Sequence, residues 1–264
     1  MKKEDNMFAE VRKQMIVDVV NRETKITVSK LCEQFDVSPA TIRNDLRELE
    51  EAGLLKRTHG GAICNRKTTY EPNAYQKEVE HVAQKQAIAR CALNCIQKGD
   101  CIALDTGTTT FELAKLLVRI EDITVVTNDL QIAAFLERNS DAHIIMAGGA
   151  VRRNFHCTVG QAAMDTVAGL NVDKAFLAAN AVSIKRGICT PNMDVARVKT
   201  VFLQTADEVI LLADSSKMGK AAFVRFADIE EIDMVITDDG VDKAFAEQVQ
   251  RAGTDIQIAE NEKK

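Results

Sequence analysis

The sequence predicts two domains of different class: a short, mainly α-helical domain with a small β-hairpin, followed by an α/β domain with a mainly parallel sheet. Three observations lead to this prediction. Apolar residues recur at helical spacing over most of residues 1–63. Short apolar runs alternate with helical patterns over residues 75–264. Between these regions, residues 64–74 are polar, lack periodicity and contain one of the chain's three prolines, so we expect a linker there.

The composition is that of a folded protein without a membrane segment. The chain has 264 residues, 46% of them hydrophobic, which is enough to bury one large core or a large and a small one. No run approaches the ~18 apolar residues of a membrane span, and no apolar signal segment follows the charged start, so we expect a cytoplasmic protein with no membrane partner. Seven cysteines occur without a C-x-x-C pair. This favours reduced thiols, and we assign no metal or other cofactor.

Charge is distributed unevenly along the chain. Residues 1–67 contain 13 Lys and Arg against 11 Asp and Glu, a balance of +2. Residues 68–264 contain 21 against 28, a balance of −7. A slightly basic segment joined to an acidic one is typical of two domains with different partners, and it is compatible with DNA binding by the first domain.

The first domain has the pattern of a helix-turn-helix. An amphipathic helix is predicted over residues 7–20 and a second, short helix over residues 29–35. After a tight turn, Ser38 is a typical N-cap and Pro39 a typical first helical residue, so a third helix runs from there to about residue 52. Two short helices around a three- to four-residue turn, the second of them basic, fit this motif.

The third helix presents polar residues on its outer face. Ile42, Leu46 and Leu49 form its buried stripe, which leaves Thr41, Arg43, Asn44 and Arg47 outside. A hairpin, or wing, is predicted over residues 54–63, where Gly60 and Gly61 are free to take positive φ and Arg57 and His59 are exposed. Taken singly, Arg43 and Arg47 are equally compatible with the solvated surface of an ordinary helical bundle, and His59 alone is more typical of plain surface.

In the second domain, the opening strand ends in a turn suited to an anion. The apolar run 101–104 is followed by Asp105, Gly107, Thr108 and Thr109, and a helical pattern begins directly after them. Such a turn offers backbone N–H groups, the positive end of a helix dipole and hydroxyl donors, which together suit a phosphate. A plain threonine N-cap is the alternative.

Polar residues also follow three later strands. They are Thr127 with Asn128, Gly148 with Gly149, and Asp214 with Lys217. Each pair has an ordinary explanation as a helix cap, a turn or a surface ion pair. Because ligands of parallel sheets bind beyond the carboxyl ends of the strands, we expect all of these residues to form one site.

Nearly the whole chain resembles the DeoR family of bacterial repressors. The residues that carry the resemblance are 37–50 (VSPATIRNDLRELE), 53–55 (GLL) and 57–62 (RTHGGA) in the first domain, and 104–109 (LDTGTT), 127–128 (TN), 148–149 (GG), 160 (G), 173–176 (DKAF) and 213–217 (ADSSK) in the second. The resemblance implies a winged helix-turn-helix whose third helix lies in the major groove. The DNA contacts it implies are Ser38, Thr41, Arg43, Asn44, Arg47, Arg57 and His59. Asn44 stands where the family usually has a second arginine, which predicts a different base preference because asparagine reads adenine and arginine guanine.

The second domain resembles the family's sugar-phosphate sensor domain, which is similar to ribose-5-phosphate isomerases and CoA transferases. This likeness implies that residues 107–109 and Lys217 hold the phosphate of a phosphorylated sugar. The full set of expected effector contacts is Asp105, Gly107, Thr108, Thr109, Thr127, Asn128, Gly148, Gly149, Asp173, Lys174, Asp214 and Lys217. Family members often carry an acid four residues before the lysine that matches Lys199. Here that position is Val195, and Asp194 is displaced by one residue.

Three functions follow as hypotheses. The first is a repressor that binds double-stranded operator DNA as a homodimer or homotetramer and releases it when a phosphorylated sugar binds. The second is a sugar-phosphate isomerase or related enzyme with Asp105 or Asp214 as base. Nothing in the sequence shows a catalytic environment for either acid, so we assign no catalytic residue. The third is a constitutive DNA-binding protein whose second domain only oligomerises.

Overall fold

Residues 2–23, 25–64 and 68–260 are described in a computed structural model of the chain. The fold divides into two units, Met1–Tyr70 and Glu71–Lys264. The division lies within the segment 64–74 that was expected to be a linker, and residues 71–74 fold with the second unit. None of the helices in the described ranges is long and apolar enough to cross a membrane.

The first unit is a helix-turn-helix with a wing. Its elements are α1 (Lys2–Glu23), β1 (Lys25–Thr27), α2 (Val28–Phe35), α3 (Pro39–Glu51), β2 (Leu55–Thr58) and β3 (Gly61–Cys64). Ile16 of α1, Leu31 of α2 and Ile42 of α3 are fully buried and pack in one cluster. Asp36, with φ of 50°, provides the left-handed residue that ends α2 and lets the chain turn into α3.

The wing belongs to a three-stranded antiparallel sheet in the order β1-β3-β2. Strand β1 has three residues, too few for a recognisable apolar alternation in the sequence. The expectation that the two glycines of the wing take a positive φ is wrong, because neither Gly60 nor Gly61 has a φ in the left-handed region that favours glycine. Gly61 is needed for close packing instead, since a Cβ at this position would overlap the backbone of Ile26 in β1.

The second unit is built on a seven-stranded parallel sheet in the order β15-β14-β12-β9-β4-β5-β6. Its helices are α4 (Ala74–Val79), α5 (Val82–Leu93), α6 (Thr108–Leu116), α7 (Leu130–Asn139), α8 (Gln161–Ala168), α9 (Met193–Gln204) and α10 (Lys243–Arg251). Its strands are β4 (Cys101–Leu104), β5 (Thr124–Thr127), β6 (His143–Met146), β7 (Ala150–Arg152), β8 (Cys157–Val159), β9 (Val172–Ala178), β10 (Ala181–Ser183), β11 (Gly187–Thr190), β12 (Ala206–Leu212), β13 (Val224–Ala227), β14 (Met234–Asp238) and β15 (Asp255–Ala259). The predicted fold class is confirmed.

The sheet buries both of its faces. Successive strand residues point to opposite sides, so Ala103 and Leu177 belong to one apolar cluster while Ile102 and Phe176 belong to the other. Helices α8, α9 and α10 contribute to the first cluster, and α5, α6 and α7 to the second. This arrangement leaves the carboxyl ends of the strands as the open edge at which a ligand can bind.

Two features of this unit differ from the sequence prediction. The apolar spacing of residues 75–97 predicts a single helix, but the structure has two, α4 and α5, because the chain breaks at Glu80 and at His81, which has a φ of 52°. Two small antiparallel sheets, β7-β8 and β10-β11-β13, were not predicted. Their strands have only three or four residues, too few to give a clear pattern.

Candidate functional site

A pocket in the second unit lies beyond the carboxyl ends of the central strands. Helix α4, the turn between β4 and α6, and the segments that follow β9 and β12 contribute to its wall. Its most distinctive feature is the number of basic side chains, namely Lys77, Lys85, Arg152, Lys199 and Lys217. The acidic side chains that line it are Glu71, Glu80, Asp129 and Asp214. A site with these cations suits an anionic ligand.

A buried ion pair forms the floor of the pocket. Asp105 follows β4 and is fully buried, and its Oδ2 accepts hydrogen bonds from Lys199 Nζ and, at 2.9 Å, from Ala178 N. Lys199 Nζ also donates to Ala178 O at 2.8 Å. Lys199 lines the pocket, whereas Asp105 lies beneath it. Asp105, expected as a ligand contact, therefore fixes Lys199 in position, and Lys199 is the residue of this pair that a ligand can reach.

The turn after β4 does reach the pocket. Gly107, Thr108 and Thr109 line it at the start of α6, which has no side-chain N-cap. The first N–H groups of that helix are thus available to an anion. A Cβ on Gly107 would lie 2.8 Å from Ala178 Cβ, so glycine permits the turn to approach β9. The hydroxyl of Thr110 points inward and donates to Asp105 O and Gly107 O.

Thr127 and Asn128 were expected to contact the ligand, but they support the strand ends. Both are fully buried, and neither lines the pocket. Thr127 Oγ1 donates to Leu104 O at 2.7 Å. Asn128 accepts from Thr106 N at 3.2 Å and donates to Thr158 O at 3.1 Å. Their hydrogen-bonding groups are used by the protein itself, which is why they are not available to a ligand.

Gly148 and Gly149 also lie outside the pocket wall. They connect β6 to β7, and Gly149 has a φ of +127°. A Cβ on Gly149 would lie 2.5 Å from Val159 O of β8. Gly149 is therefore required by backbone conformation and packing.

The prediction that Asp173 and Lys174 contact the effector is wrong. Both lie at the amino end of β9, the edge of the sheet opposite the pocket. Asp173 Oδ2 accepts from Cys101 N at 2.6 Å, and Lys174 Nζ forms an ion pair with Asp100 at 2.8 Å. The strand has seven residues, so it is Ala178 at its other end that reaches the pocket.

Asp214 and Lys217 line the pocket as expected. Asp214 is 2% exposed and accepts from Ser216 N at 3.0 Å. Burial alone would raise the pKa of Asp214, but the nearby charge of Lys217 and the hydrogen bond from Ser216 hold it below its ordinary value. Lys217 Nζ lies 3.8 Å from Asp214, so its amine keeps donors available for a ligand.

One wall of the pocket was not predicted from the sequence. It is provided by α4 with the residues before it, by the end of β7 and by the turn that follows β7. There Glu71 accepts hydrogen bonds from Lys77 Nζ at 2.9 Å and from Arg152 Nη2 at 3.0 Å. The guanidinium of Arg152 lies 3.9 Å from the centre of the Phe155 ring. Nothing in the local sequence indicates this cluster, because Glu71 and Arg152 are 81 positions apart.

Two lysines of the pocket have pKa values below the ordinary value of a lysine. Burial lowers the pKa of Lys77, the charges of Lys217 and Lys199 lower it further, and Glu71 opposes the change. Burial likewise lowers the pKa of Lys85 to about 8. Lys85 Nζ donates to the carbonyl oxygens of Lys77 and Glu80, which ties it to the end of α4. A bound anion would relieve this repulsion.

The first unit presents a separate basic surface on α3 and the wing. Arg43, Asn44 and Arg47 are exposed, and Arg47 Nη2 donates to Asn44 Oδ1 at 2.6 Å. Arg57 and Arg43 line one groove together with His59. The remaining two predicted residues lie at the start of α3, where Ser38 Oγ accepts from Thr41 N at 3.2 Å. This is the N-cap that the sequence predicts.

Comparison with protein families matches both units. Residues 12–68 match the DeoR-like helix-turn-helix domain, and residues 80–239 match the DeoR C terminal sensor domain. Among solved structures, the chain is similar to a D-ribose-5-phosphate isomerase in complex with phospho-erythronic acid, with 23% identity, a TM-score of 0.39 and coverage of 51% of this chain and 52% of that one. It is also similar to RipA from Yersinia pestis, with 10% identity, a TM-score of 0.43 and coverage of 64% and 52%. Both likenesses cover only part of each chain.

Three relatives align over most of their length. The HTH-type transcriptional regulator GlpR of Haloferax volcanii is 38% identical, covering 95% of this chain and 98% of the relative. The uncharacterized regulator YgbI of Escherichia coli K12 is 36% identical, with coverage of 95% and 98%. The putative aga operon transcriptional repressor of Escherichia coli O157:H7 is 33% identical, with coverage of 93% and 92%. With both domains matched in one order, the chain belongs to the DeoR family of DNA-binding transcriptional regulators.

Proposed function

We propose that the protein represses a carbohydrate-utilisation operon and releases its operator when a phosphorylated sugar binds the pocket of the second unit. Residues 1–63 bind double-stranded DNA, and residues 75–264 bind the effector and associate with further copies of the chain. A homodimer or homotetramer supplies the pair of DNA-binding units that two operator half-sites require. The effector favours the arrangement of subunits in which the spacing of the two DNA-binding units no longer matches the spacing of the half-sites.

The pocket is the observation that carries this proposal. Lys199, Lys217 and the N–H groups at the start of α6 line one cavity at the carboxyl ends of parallel strands. This combination favours a phosphate, because it joins charged donors with backbone donors. The relatives support the carbohydrate context, since one of them is named for an aga operon.

The DNA-binding half of the proposal rests on exposed residues. Arg43, Asn44 and Arg47 point away from the core of the first unit, whereas the intervening Leu46 is 1% exposed. Ser38, Thr41, Arg57 and His59 complete the proposed contact surface. Exposed guanidinium and amide groups on one helix suit base edges and phosphates.

We favour a regulator over a sugar-phosphate isomerase. The relatives are transcriptional regulators. In addition, Asp105 is buried beneath the pocket, where it is ion-paired to Lys199. Such a carboxylate is poorly placed to take a proton from a substrate carbon. Turnover of a sugar phosphate that Asp105→Asn abolishes would revive the isomerase hypothesis.

A mobility-shift experiment tests the proposal. A DNA fragment selected by the full-length protein is titrated in the presence of each of a set of phosphorylated sugars and of the matching unphosphorylated sugars. We expect at least one phosphorylated sugar to release the DNA and its unphosphorylated partner to have no effect. Lys217→Met should bind the DNA normally and lose the response. Retention of the DNA with every phosphorylated sugar would refute the proposal.

A further inference from the structure

One carboxylate of the protein already pairs with two of the basic side chains of the pocket. Glu71 lines the pocket with a side chain that is only 10% exposed. Its two oxygens are used separately, Oε1 by Lys77 Nζ at 2.9 Å and Oε2 by Arg152 Nη2 at 3.0 Å. Glu71 therefore makes the contacts that an oxyanion of a ligand would make.

Both cations have a second contact besides Glu71, the ring of Phe155. The guanidinium of Arg152 lies 3.9 Å from the centre of the Phe155 ring, and Lys77 Nζ lies 5.7 Å from the same centre. Cation–π contacts of this kind orient both side chains. Removal of the carboxylate would leave a formed anion site, so another anion can replace Glu71 without rebuilding the pocket.

The balance of charge favours such a replacement. Lys199 and Lys217 lie close enough to Lys77 to lower its pKa, although Asp105 and Asp214 partly balance their charges, and Glu71 is the carboxylate that pairs directly with Lys77. The charges of Lys77 and Arg152 outweigh the effect of burial and hold the pKa of Glu71 below its ordinary value, so the carboxylate is ionised at neutral pH. A phosphate dianion brings two charges to the same cations, and it is the stronger partner in Coulombic terms.

Glu71 also has a special place in the chain. It is the first residue of the second unit, and six residues separate it from Cys64, where β3 of the first unit ends. Just after it, Asn73 caps α4 and Ala74 N donates to Asn154 O at 3.0 Å. The ion pairs of Glu71 thus tie the segment that comes from the DNA-binding unit to the wall of the pocket.

We propose that Glu71 is an internal competitor of the effector: the anionic group of the ligand takes Lys77 and Arg152 from Glu71, and the freed carboxylate releases the segment that leads to the DNA-binding unit. This inference rests on the proposed function, because it specifies how occupancy of the pocket is transmitted. Lys77 and Arg152 then have two alternative partners, Glu71 and the anionic group of the ligand, and they bind only one of the two at a time.

The first variant is Glu71→Gln in the full-length protein, with inorganic phosphate as the probe and matched chloride as the reference. Phosphate binding, measured by calorimetry, should become roughly tenfold tighter, because a charged competitor has been removed. Binding to the selected DNA in chloride should become roughly fivefold weaker, because the segment is already released. Asp100→Asn is the matched control: it removes a carboxylate that is 15% exposed and paired with Lys174 at the opposite edge of the sheet. The control should change neither quantity.

The second variant, Arg152→Gln, separates competition from general damage. It removes a cation that both partners share, so phosphate binding should weaken roughly tenfold while DNA binding in chloride weakens as in Glu71→Gln. The two variants thus have opposite effects on phosphate and the same effect on DNA, a pattern that simple destabilisation does not produce. If Glu71→Gln does not fold, the two measurements on Arg152→Gln carry the test.

The outcomes distinguish this inference from the proposed function. Unchanged phosphate affinity in Glu71→Gln, or unchanged DNA affinity in both variants, would overturn the competition mechanism while a response of the wild-type protein to a phosphorylated sugar survives. Absence of any response to phosphate or phosphorylated sugars in the wild-type protein would overturn both.

Discussion

The two units of this protein both present basic side chains, but they hold them in opposite ways. On α3, Arg47 has 56% of its side chain exposed and its nearest acidic partner, Glu51, lies 4.0 Å away. In the pocket, the side chain of Lys199 is 3% exposed and is paired with the fully buried Asp105. An exposed cation has little effect on the free energy of folding, and salt screens its charge. A buried cation is destabilising unless a group of opposite charge pairs with it.

This difference matches two kinds of anion. DNA offers a long row of phosphates and base edges, and exposed arginines can reach them with little loss of solvation. A small phosphate ligand must be recognised by a few groups in fixed positions, and burial fixes them. The same residue types thus serve a polymer in one unit and a small molecule in the other, and burial decides which.

The largest expected effect concerns the buried pair. Asp105→Ala leaves Lys199 buried without its partner and should cost about 3–5 kcal/mol of unfolding free energy. Denaturant titration of the full-length protein measures this loss. Glu51→Ala, which removes the exposed partner of Arg47, is the control and should cost less than about 0.5 kcal/mol. Equal losses in the two variants would show that burial does not distinguish the two kinds of cation.

The second effect concerns DNA affinity. Arg43→Ala should weaken binding to the selected operator by about 1–3 kcal/mol, because an exposed guanidinium on α3 is lost from a base or phosphate contact. Fluorescence anisotropy at several salt concentrations measures the change. Arg251→Ala removes the same charge from an exposed position on α10 and is the matched control. If the two variants bind DNA equally well, α3 is not the contact surface.

The third effect concerns sequence preference. Asn44→Arg should shift the preferred base at one operator position from adenine to guanine, a discrimination of roughly 1–3 kcal/mol. It also replaces the amide oxygen that accepts from Arg47 at 2.6 Å. Selection from a random DNA pool gives the preference of each variant. Asn44→Ala should lose the preference without gaining a new one, and an unchanged selected site in Asn44→Arg would contradict the expectation.

The smallest effect is a pH dependence confined to the pocket. The pKa of Lys85 is lowered to about 8, so the unliganded pocket loses a positive charge as the pH rises through that value. Affinity for sulfate, which has no proton to lose in this range, should fall roughly tenfold between about pH 8 and 9.5. The stability of the unliganded protein depends on pH in the opposite direction. The unfolded chain keeps this proton to about pH 10.4, so the Lys85 contribution to stability increases as the pH rises from about 8.

Lys85→Arg provides the control for this pH effect, since its guanidinium stays charged. Sulfate affinity of that variant should be nearly flat over the same range. A wild-type sulfate affinity independent of pH would show that Lys85 does not contribute to the pocket charge.

Local signals in the sequence are enough to predict the helix-turn-helix and the central strands of the large sheet. The N-cap at Ser38, the proline at the start of α3 and the buried stripe of Ile42, Leu46 and Leu49 are local signals, and the structure reproduces them. The central strands of the parallel sheet give equally local signals, because a strand buried on both faces is apolar nearly throughout. The edge strand β15 is partly exposed and alternates apolar with polar residues. Among the residues that the family motifs indicate, Gly107, Thr108, Thr109, Asp214 and Lys217 line the pocket, and their contact with an effector stays a prediction.

Which polar groups a ligand can reach depends on how distant parts of the chain pack together. Asp173 and Lys174 match a family motif, yet they lie at the amino end of their strand. Thr127 and Asn128 lie at the carboxyl ends, but their side chains form hydrogen bonds with neighbouring strands. The pairs that define the pocket, Asp105 with Lys199 and Glu71 with Arg152, are separated by 94 and 81 positions. Local periodicity reports which face of an element is buried, but pairing of charges depends on how distant elements meet, and that is set by the packing of the whole domain.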